Sequence, residues 1–182
     1  MKLKISKNIR ICILSAIILL ILALIFDNQI LAFFSGIQTP LVAGLMKIIS
    51  FMGNFYIIPF IATLVIIIAI KKNKSRCLAA AWTSLLLGVI ISFLLKIIIA
   101  RPRPDLMPTL WDFSFPSWHS LGVFAVLPLL DKKLQPYWLA FAILVSLSRL
   151  YLGLHYASDV IGGIIIGYGI GLLGLKFFNL KK

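Results

Sequence analysis

The sequence predicts an all-α fold: a six-transmembrane helix bundle with a surface-lying helical segment between spans one and two. Three observations predict it. Apolar residues make up 62% of the 182-residue chain, and the mean hydropathy is +1.09. These residues gather into runs, several approaching the length of about 18 or more that a membrane span requires. The cations lie mostly at the ends of the runs, as membrane anchors do. A net charge of +13 would suit nucleic acid in a soluble protein. With this placement the partner is the lipid bilayer, and no nucleic acid is expected. Residues 1–182 read as a single integral membrane domain without internal repeats or low-complexity tracts.

The elements follow in order. Lys2, Lys4, Lys7 and Arg10 precede an apolar run at 11–26. A secretory signal peptide begins similarly, but this run exceeds a usual signal core and no small-x-small cleavage site follows. It is therefore taken as a retained span one, about 10–27. Residues 28–54 are less apolar and hold Gly36, Pro40, Gly44, Lys47, Gly53 and Asn54. They suit one or two helices lying at the membrane surface. Span two is about 55–70 and span three about 77–100. A proline-rich hydrophilic loop occupies 101–117. Span four, about 118–130, is short; span five is about 137–153 and span six about 157–176. Span six carries Gly163, Gly167 and Gly171 at four-residue spacing. Small residues so spaced allow close helix approach, within the bundle or, as the other reading, at a homodimer seam.

Lysine and arginine set the orientation. Thirteen of the 18 fall in the N-terminal tail, the loop after span two, the loop after span four and the C-terminal end. The opposite side keeps Lys47, Lys96, Arg101, Arg103 and Arg149. Both termini are expected in the cytoplasm, with the second set of residues facing out of the cell. Cys12 and Cys77 lie in apolar segments near the inner face, so neither a disulfide framework nor a metal site is expected of them.

Charged groups within apolar chain are expensive and mark function by default. Three segments hold them. Lys96 sits near the end of span three, and Pro102 and Pro104 stop that helix near Ala100. Arg103 then folds back over Lys96 on a stiff loop, while Arg101 fits an interfacial, snorkelling cation. Ser117 precedes span four at a position favoured for a helix N-cap, beside free N–H groups that suit an anion. His119 lies in the first turn of that helix. His155 and Asp159 are four residues apart and share a helix face. A carboxylate on one imidazole nitrogen fixes the tautomer and frees the other nitrogen to attack. A helix break near Gly153 turns Arg149 toward the same place.

These segments read Lys96-x6-Arg103-Pro104, then Pro116-Ser117-Trp118-His119, then Ser148-Arg149-x5-His155-x3-Asp159. The set resembles the three-part signature of the type 2 phosphatidic acid phosphatase family, and the six-span length is similar too. The resemblance implies an enzyme: an integral membrane lipid phosphatase without metal or cofactor. It implies that His155 attacks phosphorus and forms a phosphohistidine, that Asp159 orients His155, and that His119 is the general acid. Lys96, Arg103, Ser117, Trp118 through its backbone, and Arg149 would bind the phosphate. Candidate substrates are phosphatidylglycerol phosphate, phosphatidic acid and undecaprenyl pyrophosphate, as membrane lipid phosphates. The family usually has Gly where Trp118 stands. Gly permits close backbone approach, so the indole is expected to crowd the site; alternatively it lines the lipid entrance, or it leaves a catalytically impaired lipid-phosphate-binding protein. The signature is also similar to the vanadate site of vanadium haloperoxidases, which are soluble oxidoreductases.

Overall fold

The computed structural model describes residues 7–70, 72–104 and 113–180, with side chains from Arg10 onward. Asp105 and Asp112, in the hydrophilic loop, lie outside the described residues.

The described residues form seven α-helices and one 3-10 turn. They are α1 (Lys7–Gly36), α2 (Pro40–Met52), α3 (Ile57–Ala69), α4 (Lys74–Ile99), α5 (Trp118–Val126), α6 (Gln135–Tyr151) and α7 (Ala157–Phe177). The 3-10 turn Leu127–Leu129 extends α5. Long apolar stretches without interior proline make α1, α4 and α7 continuous. These three helices are long and apolar enough to cross a membrane. The α2–α3 pair passes the same test only as one span bent by 69°. By length and composition the described residues therefore hold three spans, or four with the bent pair. The chain is a membrane protein: the outer faces of α1 and α4 expose Ile18, Leu22, Ile90 and Phe93, which suits lipid better than water.

The surface segment expected at 28–54 divides differently. The first span does not end at 27; α1 runs on to Gly36. A carboxylate is costly inside a span, and Asp27 falls within this helix. It is buried within the helix, where an arginine neutralises it. At 1.5 Å per residue about 30 Å of helix separates Lys7 from Asp27. That is comparable with the thickness of the hydrocarbon core. Only α2 remains as a separate short helix, begun by Pro40 behind an N-cap Thr39 that accepts from the Val42 N–H.

Helix α7 packs against α1, α4, α5 and α6. Its glycine stripe explains how. A Cβ on Gly167 would lie 2.2 Å from the Leu121 carbonyl oxygen. One on Gly163 would lie 2.6 Å from the Ser117 carbonyl oxygen, and one on Gly171 2.3 Å from that of Ala125. The stripe is thus covered by α5 of the same chain, and it offers no homodimer seam. Close approach buries α5 from Ser120 to Val126. The apolar core adds Ile58, Ala62 and Ile66 of α3, Ala80, Ala81 and Leu85 of α4, and Trp138, Ala142 and Val145 of α6.

Candidate active site

The three charged segments meet where α4, α5, α6 and α7 end or begin. Helix α4 stops at Ile99, and Ala100 takes a left-handed conformation (φ 49°, ψ 36°) with its N–H on the Lys96 carbonyl at 2.9 Å. The following Arg-Pro-Arg-Pro cannot re-enter a helix. The Ser114 N–H donates to the Arg101 carbonyl at 2.8 Å and anchors the return of the loop. Lys96 Nζ donates to the Phe113 carbonyl. Arg103 reaches the third segment: its Nη1 lies 3.0 Å from the Leu154 carbonyl oxygen and 3.1 Å from His155 Nε2.

Helix α6 ends at Tyr151, and Gly153 turns the chain with a φ of 68°, as expected of the break there. Arg149, buried in the last turn of α6, donates to Ser50 Oγ of α2. The turn delivers His155, 2% exposed, to the bundle interior. His155 Nδ1 lies 3.4 Å from Asp159 Oδ2, an electrostatic contact rather than an aligned hydrogen bond. Asp159 Oδ2 also accepts the Tyr156 N–H at 2.9 Å, so it caps α7 while facing the histidine.

Ser117 joins the second segment to the third, because its N–H donates to the Asp159 carbonyl at 3.0 Å. Its hydroxyl does not cap α5 as expected. It is fully buried and bonds to no protein atom among the described residues. An unmet buried hydroxyl at a helix N-terminus is a ready donor to an anion. His119 lies in the first turn of α5, half-buried, against Gly53. A Cβ on Gly53 would lie 3.1 Å from His119 Cδ2, so this glycine makes room for the imidazole. His119 feels the charges of Arg149, Arg103 and Lys96. All the expected polar side chains are therefore brought to one place.

Two groups were not expected there. Arg101 is no snorkelling cation: it donates to Asp159 Oδ1 and to Asp27 Oδ2, each at 2.8 Å. Asp27 was readable as a carboxylate in apolar chain. Its partner was not, since α1 and the loop are far apart in sequence.

The surroundings of Trp118 bear on both expectations, crowding and lipid entrance. Its indole sits against Gly88 of α4 and Gly122 of α5, edge-on to Phe55 at 5.6 Å. It lines an apolar groove of about 250 Å³ with Tyr56, Pro59, Trp82, Leu85 and Val89, and no charged residue among the described ones lines that groove. The lipid-entrance alternative agrees with this packing.

Electrostatics select the form of His155. Guanidinium donates only, so Nε2 accepts from Arg103 and the ring proton sits on Nδ1, facing Asp159. Burial, then the charges of Arg103, Arg149 and Lys96, push its pKa well below 6.5, against hydrogen bonding with the Ser114 backbone. Burial and the neighbouring cations thus disfavour the imidazolium, and the Nε2 lone pair faces a cation. Such a site can hold an oxyanion beside a nitrogen nucleophile.

Fold and site define a class: a helical membrane protein with a cation-lined histidine centre. The chain belongs to the PAP2 superfamily, which matches it over residues 78–182. It is 30% identical to the undecaprenyl-diphosphatase BcrC of Bacillus subtilis over 148 residues, 75% of this chain and 76% of that one. It is 39% identical to phosphatidylglycerophosphatase B of Bacillus subtilis over 108 residues, half of each chain. Among solved structures it is similar to a transmembrane PAP2-type phosphatidylglycerolphosphate phosphatase from Bacillus subtilis, with a TM-score of 0.67, 26% identity, and 93% and 96% of the two chains covered. Aquifex aeolicus LpxE shares the fold, with a TM-score of 0.70 at 18% identity over 83% of this chain and 95% of that one.

Proposed function

We propose that this protein hydrolyses a phosphomonoester or diphosphate of a membrane lipid through a phosphohistidine intermediate. The observation that carries the reading is the geometry of His155, its Nε2 3.1 Å from Arg103 Nη1 and its Nδ1 3.4 Å from Asp159 Oδ2.

The phosphate oxygens bind Lys96, Arg103, Arg149, the Ser117 hydroxyl and the N–H groups that begin α5. Phosphoryl transfer needs mainly positioning and charge stabilisation, and three fixed cations supply the charge. His155 Nε2 attacks phosphorus; the N–P bond forms as the bond to the leaving oxygen breaks. Asp159 stabilises the positive charge that develops on the imidazole. His119 protonates the leaving oxygen, which departs as the lipid alcohol or lipid monophosphate. Water then attacks phosphorus, giving its proton to His119. The N–P bond breaks, inorganic phosphate leaves and His155 is restored. General acid catalysis typically contributes about 10²–10⁴-fold. No divalent ion takes part in these steps.

Placement supports the substrate class. With Asp27 near a membrane boundary, a head group can enter while its tail stays in the bilayer. The Trp118 groove beside the site suits such a tail. The relatives support two candidates, undecaprenyl pyrophosphate and phosphatidylglycerol phosphate; phosphatidic acid is the third, from the signature alone. The short helices α5 and α6 complete a six-span arrangement with both termini cytoplasmic and the site extracytoplasmic; the charge bias supports it.

The test is phosphate release by the purified protein from these three lipids in EDTA. Turnover of at least one is expected. No turnover of any, or turnover only with added Mg²⁺, would overturn the reading.

A further inference from the structure

Asp27 is a buried carboxylate in a membrane-spanning helix, and the steps above do not use it. Neither do they use Arg101. Together these residues make a connected set. Arg101 Nη2 donates to Asp27 Oδ2 at 2.8 Å, and Nη1 donates to Asp159 Oδ1 at 2.8 Å and to Ser158 Oγ at 2.5 Å. Ser158 returns to Asp27 twice, its N–H to Oδ1 at 2.9 Å and its hydroxyl to Oδ2 at 2.6 Å. The Tyr156 ring lies under the guanidinium, 4.1 Å from Cζ to centroid.

We propose that Arg101 and Asp27 are a positioning pair for the reaction: Asp27 fixes the Arg101 guanidinium, and Arg101 fixes Asp159 with its other oxygen toward the Nδ1 proton of His155. This role rests on the proposed function.

Three features support it. Arg101 divides the Asp159 carboxylate: Oδ1 is held by the guanidinium, and Oδ2 keeps Tyr156 and His155. A carboxylate with one oxygen so held cannot rotate away from the imidazole. A planar fork with two nitrogens is suited to holding two carboxylates at once, which a lysine is not. The third feature is charge. One guanidinium between two carboxylates leaves net negative charge on the Nδ1 side of His155, opposite Arg103 at Nε2. Burial weakens the Arg101 charge, but the bond to Asp27 and the charge of Asp159 hold its pKa above the ordinary value, so it stays a cation. Arg101 is not placed as a phosphate contact, because both of its terminal nitrogens are engaged by carboxylates that would repel the substrate.

The experiment measures kcat and KM separately, on monodisperse protein of known Tm, for the wild type and for Arg101→Gln, Arg101→Lys, Asp27→Asn and the double variant Asp27→Asn/Arg101→Gln. Arg101→Gln should lower kcat by about 10- to 100-fold, the range for loss of a partner that orients a reacting imidazole. KM should stay within about twofold, since no phosphate contact is lost. Arg101→Lys should recover part of kcat. Asp27→Asn should lower kcat less, and the double variant should fall close to Arg101→Gln because Asp27 acts on the Asp159 carboxylate through the arginine. A raised KM with kcat kept would make Arg101 a phosphate contact and overturn the proposal. A lowered Tm with unchanged kcat would reduce the pair to docking α1 on α7, also overturning it. Should Arg101→Gln fail to fold, Asp27→Asn decides: unchanged kcat there is contrary. Wild-type protein that releases no phosphate would remove the proposed function itself and the positioning role with it, which separates the two failures.

Discussion

Arg103 donates to Nε2 of His155 at 3.1 Å, and the direction of that bond fixes which nitrogen carries the proton. Guanidinium has no acceptor. The lone pair is thus on Nε2, at the cation-lined face, and Nδ1–H faces Asp159. The two imidazoles of the site consequently have different environments, because His119 lies half-buried against Gly53 instead.

Different environments imply different losses. His155→Ala should abolish turnover of every substrate. His119→Ala should spare part of the activity toward aryl phosphates, whose leaving groups need little protonation, while losing about 10²–10⁴-fold toward lipid alkyl phosphates. Steady-state kcat/KM for one substrate of each kind measures this. Equal loss for both kinds in His119→Ala would contradict the acid role.

The pH profile carries the sign of the His155 shift. Neutral imidazole is the reactive form, so activity is lost as pH falls through the folded pKa. Burial and then Arg103, Arg149 and Lys96 lower that pKa, with Ser114 opposing, and Asp159 faces the ring. The acid limb due to His155 should therefore lie well below 6.5. Arg103→Gln removes the largest charge acting on the ring, which eases protonation and moves the limb upward. Log kcat/KM measured from about pH 4 to 8 tests this; a limb that stays still or moves down would contradict the assignment.

The position of the Trp118 indole predicts a chain-length effect. Trp118→Gly should lower kcat/KM for a long-chain lipid phosphate by about tenfold, the equivalent of one lost apolar contact surface. A short soluble phosphate should be nearly unaffected. A gain for both substrates would show that the indole crowds the phosphate after all.

The contact of α7 with α5 predicts stability. Gly167→Ala drives a Cβ into the Leu121 backbone, which cannot move aside cheaply, and should cost about 1–3 kcal/mol. Gly169→Ala meets nothing within 4 Å and should be tolerated. Thermal unfolding in detergent compares the two. Equal Tm values would mean that the helices are not this close.

The proposed topology is checked with single cysteines in a background with Cys12 and Cys77 replaced by serine. Gly36→Cys, in open space at the end of α1, should react with an impermeant thiol reagent on intact cells. Lys132→Cys, on the other side, should react only after permeabilisation. The reverse pattern would invert the orientation.

Much of the site was legible because its chemistry is local in sequence. Pro102 and Pro104 stop α4 wherever they stand, and Gly153 breaks α6 by its own backbone freedom. His155 and Asp159 do meet, though not on a shared helix face as expected: His155 lies in the turn before α7, and Asp159 in the first turn of α7 folds back to it. What was not legible depends on distant contacts. Arg101 reads as a surface cation until Asp27, 74 residues earlier, is seen to neutralise it. The same pairing explains why α1 continues past its carboxylate. Ser117 occupies a cap position, but its backbone is tied to Asp159 and its hydroxyl leaves the helix uncapped. The indole of Trp118 could be placed only once Gly88 and Gly122 were known to receive it.

The most direct test of the central claim is to trap the covalent intermediate. Protein mixed with a radiolabelled lipid phosphate is quenched in alkali, where phosphohistidine persists, and the labelled peptide is mapped. Label is expected on His155, lost on acid treatment and absent in His155→Ala. Label on another residue, or full turnover by His155→Ala, would contradict it.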